Sequence, residues 1–142
     1  MSKRLGFTLL EMLIVIAILG IFLALGVSSL LNFRARLTLQ QAQQVVVQEL
    51  IRARSDARKL SVNQTVTWTD SSLTITANDQ SRTTKLPSGI KLSQNKGSAA
   101  LTYSAPYSTI SVGSTEFVLM DKAKHEVKVI VYGVTGKVIS VD

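Results

Sequence analysis

The residues with the clearest chemical consequence lie near the N-terminus, where a glutamate stands at the start of a long apolar segment. Glu11 directly precedes residues 12–31, a run of 20 residues without one charged side chain. An ionised carboxylate in apolar surroundings is costly unless a cation or a proton neutralises it. The sequence therefore predicts that Glu11 has a positively charged partner.

The apolar run also indicates what kind of segment this is. About 20 apolar residues are enough to cross the hydrocarbon core of a bilayer as a helix, and they exceed the apolar core of a cleaved secretory signal. Basic residues lie on both sides, Lys3 and Arg4 before the run and Arg34 and Arg36 after it. Charge counting therefore leaves the orientation of the span open.

Residues 3–11 read Lys-Arg-Leu-Gly-Phe-Thr-Leu-Leu-Glu, and this segment resembles the type III signal of type IV pilin-like proteins. The resemblance implies that a prepilin peptidase cuts between Gly6 and Phe7, which removes residues 1–6 as a leader peptide. Phe7 would then be the N-methylated first residue, and its amine would pair with Glu11 of a neighbouring subunit in a filament. The alternative from the residues alone is a plain N-terminal membrane anchor.

Beyond the span, the pattern favours one continuing helix. Residues 7–31 are expected to form the membrane-spanning and filament-core half, and residues 32–60 an amphipathic half that enters a globular head. No proline or glycine occurs between Val27 and Leu60. Apolar residues recur there every three or four positions, as on one buried helix face: Leu39, Ala42, Val46, Leu50, Ala53, Ala57 and Leu60.

From Ser61 the apolar period changes to two, which predicts short strands in residues 61–142. Gln64–Thr69 and Ser72–Thr76 form a hairpin around Asp70-Ser71. The further strand candidates are Gly89–Ser93, Ala100–Ser104, Thr109–Val112, Glu116–Met120, Val127–Tyr132 and Lys137–Val141. The fold class is therefore α+β, a long N-terminal helix packed on a small antiparallel β-sandwich. Its expected core residues are Trp68, Phe117, Leu119, Val129 and Val131.

The head offers little for catalysis. The chain has no cysteine and a single histidine, His125, which we interpret as an exposed turn residue between Lys124 and Glu126. Asp121 and Glu126 flank the same basic turn, and no glycine-rich phosphate loop joins a strand to a helix. We therefore expect no enzyme, no metal site and no cofactor.

Weaker similarities extend the resemblance to GspH/FimT-like minor pilins and pseudopilins. They are residues 50–57 late in the helix, the Leu86–Ile90 turn and the closing segment 131–138. The resemblance implies a single-pass inner-membrane protein that is later assembled with other pilins or pseudopilins into an extracytoplasmic fibre. Its partners would be the prepilin peptidase and an inner-membrane assembly platform.

The head is basic, and this opens a second role. The whole chain has 16 Lys+Arg against 9 Asp+Glu, and lysines concentrate near the C-terminal strands, where they could contact DNA phosphates without reading sequence. These are Lys122, Lys124, Lys128 and Lys137. The function expected is that of a minor pilin or pseudopilin, a structural subunit of a type IV pilus or pilus-like fibre, with contact to DNA during natural transformation as an additional role to be tested. The alternative is an H-type pseudopilin of a type II secretion system.

Overall fold

The structure of the chain is a computed structural model that describes residues 8–111 and 113–141, apart from the side chains of residues 25, 26 and 28. Gly6, Phe7 and the expected leader, residues 1–6, lie outside the described residues. The chain divides into two compact units between Arg34 and Ala35. The unit from Ala35 onward is called the head below.

One helix, α1, runs from Leu9 to Leu60. In its first part, residues 9–34, every side chain whose burial is described is exposed, although nearly all of them are apolar. An 18-residue window of this helix reaches a mean hydropathy of 2.7, so it is long and apolar enough to cross a membrane. Exposed apolar surface of this extent is unfavourable in water, so the helix fits membrane anchoring.

Over its described residues, the head contains the rest of α1 and eight strands in two antiparallel sheets. The first sheet has the order β3-β2-β1-β5 and the second the order β4-β6-β7-β8. This is the α+β architecture that the sequence predicts. The strands are β1 (Gln64–Thr69), β2 (Ser72–Ala77), β3 (Gln80–Lys85), β4 (Lys91–Lys96), β5 (Leu101–Tyr103), β6 (Thr115–Met120), β7 (Glu126–Val131) and β8 (Val138–Val141).

Two strands differ from the sequence prediction. The segment β3, Gln-Ser-Arg-Thr-Thr-Lys, was not expected, because it has no apolar residue to show a period of two. It forms an edge of its sheet and leaves most side chains in water, so it needs no apolar alternation. The expected strand Thr109–Val112 is absent over 109–111, where Thr109 makes only a single bridge to Ser104, and Val112 lies outside the described residues.

The core lies between the sheets and the buried face of α1. Six of the seven expected helix positions are buried, and the exception is Leu60, which is exposed because the helix ends there. Phe117 from β6 is fully buried, with Leu119, Val129 and Val131 around it. Trp68 is half-buried at the margin, and its ring meets Phe117 edge to face at a centroid distance of 4.8 Å.

The two ends of the head are defined by the ends of its helix. At the Ala35 end, Ala35 and Thr38 line a cleft with the loops 87–90 and 121–123. At the Leu60 end, the hydroxyl of Ser108 donates to the carbonyl of Arg54 over 2.7 Å. The β7–β8 turn lies there too, since a Cβ on Gly136 would sit 2.9 Å from the Ser108 carbonyl. The loops around α1 therefore form two groups, one near Thr38 and one near Arg54. These two residues are 16 positions apart, a rise of about 24 Å along the helix.

Candidate functional site

Glu11 takes part in a reciprocal cap at the start of α1. The backbone N–H of Thr8 donates to Glu11 Oε2 over 3.4 Å, and the N–H of Glu11 donates to Thr8 Oγ1 over 3.3 Å. This is the capping box, in which Thr and Glu three positions apart satisfy two free donors of the first helical turn. The sequence Thr-Leu-Leu-Glu contains this signal, although the prediction for Glu11 was based only on its need for a cation.

The cap gives Glu11 a partner within its own chain. Both bonds are long for N–H···O contacts, whose usual donor–acceptor distance is about 2.9 Å. A full cation near the carboxylate would form a shorter, charge-assisted bond of roughly twice the strength. The cap can therefore hold the Glu11 carboxylate at the helix end, and an amine that approaches the carboxylate can replace the bond to the Thr8 N–H. The cleavage and methylation sites, Gly6 and Phe7, lie outside the described residues.

Lys128, one of the four lysines predicted to contact DNA, is paired within the head. Its Nζ lies 2.9 Å from Glu116 Oε1 on the neighbouring strand. The hydrogen bond from Lys128 holds the pKa of Glu116 below its usual value, and the bond to Glu116 raises the pKa of Lys128. Its charge is largely balanced before any phosphate approaches.

The other three lysines are divided between the ends of the head. Lys122 and Lys124 lie in the β6–β7 turn at the Ala35 end, whereas Lys137 lies in the β7–β8 turn at the Leu60 end. Between the two turns runs the full length of β7, six residues or about 20 Å. The structure does not bring the four lysines together in one strip.

A second basic group at the Leu60 end was not singled out from the sequence. Arg54, Arg58 and Lys59 line a cleft of about 570 Å³ together with Ile51, Ser55 and Pro106, and no carboxylate lines it among the described residues. Their spacing of four and one positions near the end of a helix is a signal that could have revealed them. Cations there also stabilise the helix C-terminus.

Arg54 lies near a buried phenol in this region. Its Nε and the hydroxyl of Tyr103 are both buried and have no hydrogen-bond partner within the described part of the chain. Burial raises the pKa of Tyr103 well above its usual range, and the charge of Arg54 opposes that shift. The phenol therefore stays neutral, and the cleft keeps its positive charge.

The expectation that His125 is an exposed turn residue is corrected by the structure. His125 lies in the turn but is half-buried and paired. Its Nδ1 lies 2.8 Å from Oδ2 of the buried Asp121, and its backbone N–H donates to Asp121 Oδ1 over 2.9 Å. The pair fixes the β6–β7 turn. Within residues 8–111 and 113–141, no group of three or more His, Cys, Asp or Glu side chains is placed to hold a metal ion.

Comparison with known proteins agrees with the N-terminal motif. Residues 1–27 match the family model described as the prokaryotic N-terminal methylation motif. This is the motif of type IV prepilins, which the sequence of residues 3–11 had suggested. No curated protein matches the chain.

The fold as a whole is similar to a solved pilin. The crystal structure of the type IV minor pilin FimU of Pseudomonas aeruginosa superposes with a TM-score of 0.60 at 15% sequence identity. The match covers 78% of this chain and 92% of FimU. The chain therefore has a pilin-like α+β fold, and it carries a prepilin methylation motif at its N-terminus. Pilins are in general structural rather than catalytic proteins.

Proposed function

We propose that this chain is a minor subunit of a type IV pilus. The observation that carries the proposal is the combination of a methylation motif at residues 1–27 with a head and helix folded like a minor pilin. In this role the chain is first anchored in the inner membrane and is then assembled with other pilins by an inner-membrane platform. It needs no cofactor and catalyses no reaction.

Processing supplies the cation that Glu11 needs. Cutting between Gly6 and Phe7 creates an α-amino group four residues before Glu11, and methylation leaves that group a cation. In the fibre the Phe7 amine of one subunit neutralises Glu11 of its neighbour inside the apolar bundle. A buried pair of this kind adds specificity of register more than stability, because removing either partner leaves a charge uncompensated.

Mass spectrometry of the membrane fraction tests the processing. We expect a chain that begins at methylated Phe7. In Gly6→Val the peptidase should fail to cut, while membrane insertion is unchanged, because the bilayer does not read that position. A parent chain that keeps Met1, or one cut after Leu31, would contradict the proposal.

An H-type pseudopilin of a type II secretion system is the alternative within the same class of protein. The fold and the motif suit both assignments. Deleting the gene separates them: loss of surface pili with normal secretion of folded exoproteins supports the pilus, and the reverse supports the pseudopilus.

Contact with DNA is a second candidate function, and one structural observation favours a particular place for it. The Leu60 end combines the cationic cleft with Lys137 in the neighbouring turn and with Tyr107, whose side chain is 81% exposed. Cations beside an exposed aromatic suit sequence-independent binding of nucleic acid. We therefore place DNA contact, during natural transformation, at this end.

The DNA test uses the full chain in nanodiscs of neutral lipid. Arg58→Gln, Lys59→Gln and Lys137→Gln together should weaken duplex binding and flatten its dependence on log salt by about one for each lost phosphate contact. The matched control changes Lys91, Lys122 and Lys124 to Gln and removes the same charge from the other end. Equal effects of the two triple variants would contradict a DNA site at the Leu60 end.

A further inference from the structure

The Ala35 end of the head has a group of cations that the fibre role does not use. Lys122 and Lys124 in the β6–β7 turn, Lys91 at the start of β4 and Arg36 on α1 are all exposed. None of the four has an ion pair in the described part of the chain. These four residues are called the basic collar.

The charges around the basic collar leave it positive. Asp121 and Glu126 are the carboxylates next to the basic collar, and Asp121 keeps its negative charge while it is hydrogen-bonded to His125. Lys85 and Asp70, near the β1–β2 turn, contribute one charge of each sign. With His125 neutral, the net charge of this surface is therefore about +2, from four cations and two carboxylates.

Two of these cations are placed by contacts with the loops that close this end. The cleft at the Ala35 end, about 270 Å³ in volume, is lined by Ala35 and Lys122 among others. The Lys122 side chain crosses the 87–90 turn, since a Cβ on Gly89 would lie 3.5 Å from Lys122 Cε. Arg36 lines a second cleft, with His125 and Glu126. The lysine turn is thus packed against the first residues of the head helix.

Chain length places this surface near a bilayer if residues 12–31 span one. Arg36 is five positions after Leu31, and even a fully extended chain over five steps reaches only about 18 Å. The headgroup layer extends about 5 to 8 Å beyond the hydrocarbon core on each side. Whatever the orientation of the head, its Ala35 end cannot move far from the lipid headgroups.

We propose that the basic collar binds the anionic headgroups of the bilayer in which the N-terminal helix is anchored. This inference rests on the membrane anchoring in the proposed function. Binding would hold the Ala35 end against the membrane before assembly, and extraction into a fibre would have to break it. Each basic residue near an anionic surface raises the ratio of lipid-bound to free head roughly fivefold. The attraction decreases over a Debye length of about 8 Å at physiological salt.

The test places one fluorophore at each end of the head. The chain has no cysteine, so Ala123→Cys labels the β6–β7 turn alone and Val134→Cys labels the Leu60 end alone. Ser88→Cys, in the same cleft as Ala123, serves as a second label if the first variant folds poorly. Each full chain is placed in nanodiscs that carry a headgroup spin-label quencher, either in neutral lipid or with one third phosphatidylglycerol.

Quenching at position 123 should rise in phosphatidylglycerol and fall again at 0.5 M salt, with no change at position 134. Lys122→Gln with Lys124→Gln should reduce the ratio of lipid-bound to free head by about 25-fold, the product of two fivefold effects. The control pair Lys59→Gln with Lys137→Gln removes equal charge from the Leu60 end and should leave quenching unchanged.

Alkaline extraction distinguishes failure of the membrane anchor from failure of the basic collar as a lipid site. If the chain is extracted from the bilayer, membrane anchoring itself is contradicted. A chain that stays inserted, yet shows the same quenching in neutral and anionic lipid, overturns only the basic collar as a lipid site. A label at position 123 that responds to added duplex DNA but not to phosphatidylglycerol would assign the surface to nucleic acid instead.

Discussion

Asp121 and His125 form a closed pair across the β6–β7 turn, with His125 Nδ1 2.8 Å from Asp121 Oδ2. The Asp121 N–H donates to the His125 carbonyl, and the His125 N–H donates back to Oδ1 of the same aspartate. The carboxylate is buried, so these bonds replace the water that it loses on folding. The pair holds the turn that presents Lys122 and Lys124.

The first prediction concerns the pH dependence of this turn. Desolvation raises the pKa of Asp121, but the bonds from His125 outweigh it and hold the pKa below its usual value. The stabilisation is therefore complete above the unfolded pKa of about 4 and is lost as pH falls through the lower folded value. In Asp121→Asn this loss between pH 5 and 2 should be smaller than in the parent. Trp68, the single tryptophan, reports head unfolding in micelles; identical pH profiles would contradict the assignment.

The second prediction separates the two roles of Glu11. Glu11→Gln keeps the capping box, because glutamine also reaches back to the N-cap N–H, but it cannot neutralise an amine. Thr8→Ala removes the cap, at a cost of about 1 kcal/mol, and keeps the carboxylate. Membrane levels should hold in both, while incorporation into sheared fibres should fall only in Glu11→Gln. Equal incorporation of Glu11→Gln and the parent would contradict pairing with Phe7.

The third prediction tests the contact between the sheets. Phe117 is fully buried and meets Trp68 with ring planes at 89°. Phe117→Ala should lower the free energy of unfolding by about 3 to 5 kcal/mol, measured by circular dichroism. Tyr107→Ala is the control, because that ring is exposed and its loss should cost no more than about 0.5 kcal/mol. A small effect of Phe117→Ala would show that this contact does not hold the sheets together.

The fourth prediction concerns the bond between α1 and the edge strand β3. Glu49 Oε2 lies 2.9 Å from Arg82 Nη2, and Glu49 Oε1 accepts from Thr84 Oγ1 over 3.1 Å. A double-mutant cycle with Glu49→Gln and Arg82→Gln should give a coupling energy of about 1 kcal/mol that shrinks at high salt. Arg52→Gln with Asp56→Gln is the control and should show less coupling, because that pair is longer, at 3.9 Å, and the Arg52 side chain is exposed. Additive effects at positions 49 and 82 would rule out the bond.

Local patterns along the chain determined much of this protein. The apolar run, the buried helix face from Leu39 to Ala57 and the Gln64–Ala77 hairpin follow from periodicity and turn residues, because each depends on neighbours a few positions apart. The motif around Gly6 and Glu11 is equally local. Residues 1–27 match the methylation motif for that reason.

Only the tertiary structure decided which charged and polar residues meet. The lysines at 122, 124, 128 and 137 lie close in sequence, yet antiparallel strands carry successive turns to opposite ends of a sheet. Lys137 therefore lies at the same end of the head as Arg54 and Arg58, which belong to a helix more than 75 residues earlier. Lys128 pairs with Glu116 on the neighbouring strand. Strand β3 has no apolar period because it lies at an edge, and its place depends on pairing with β2 and Glu49. Such contacts depend on how distant segments pack against each other. The periodicity within one segment carries no information about that packing.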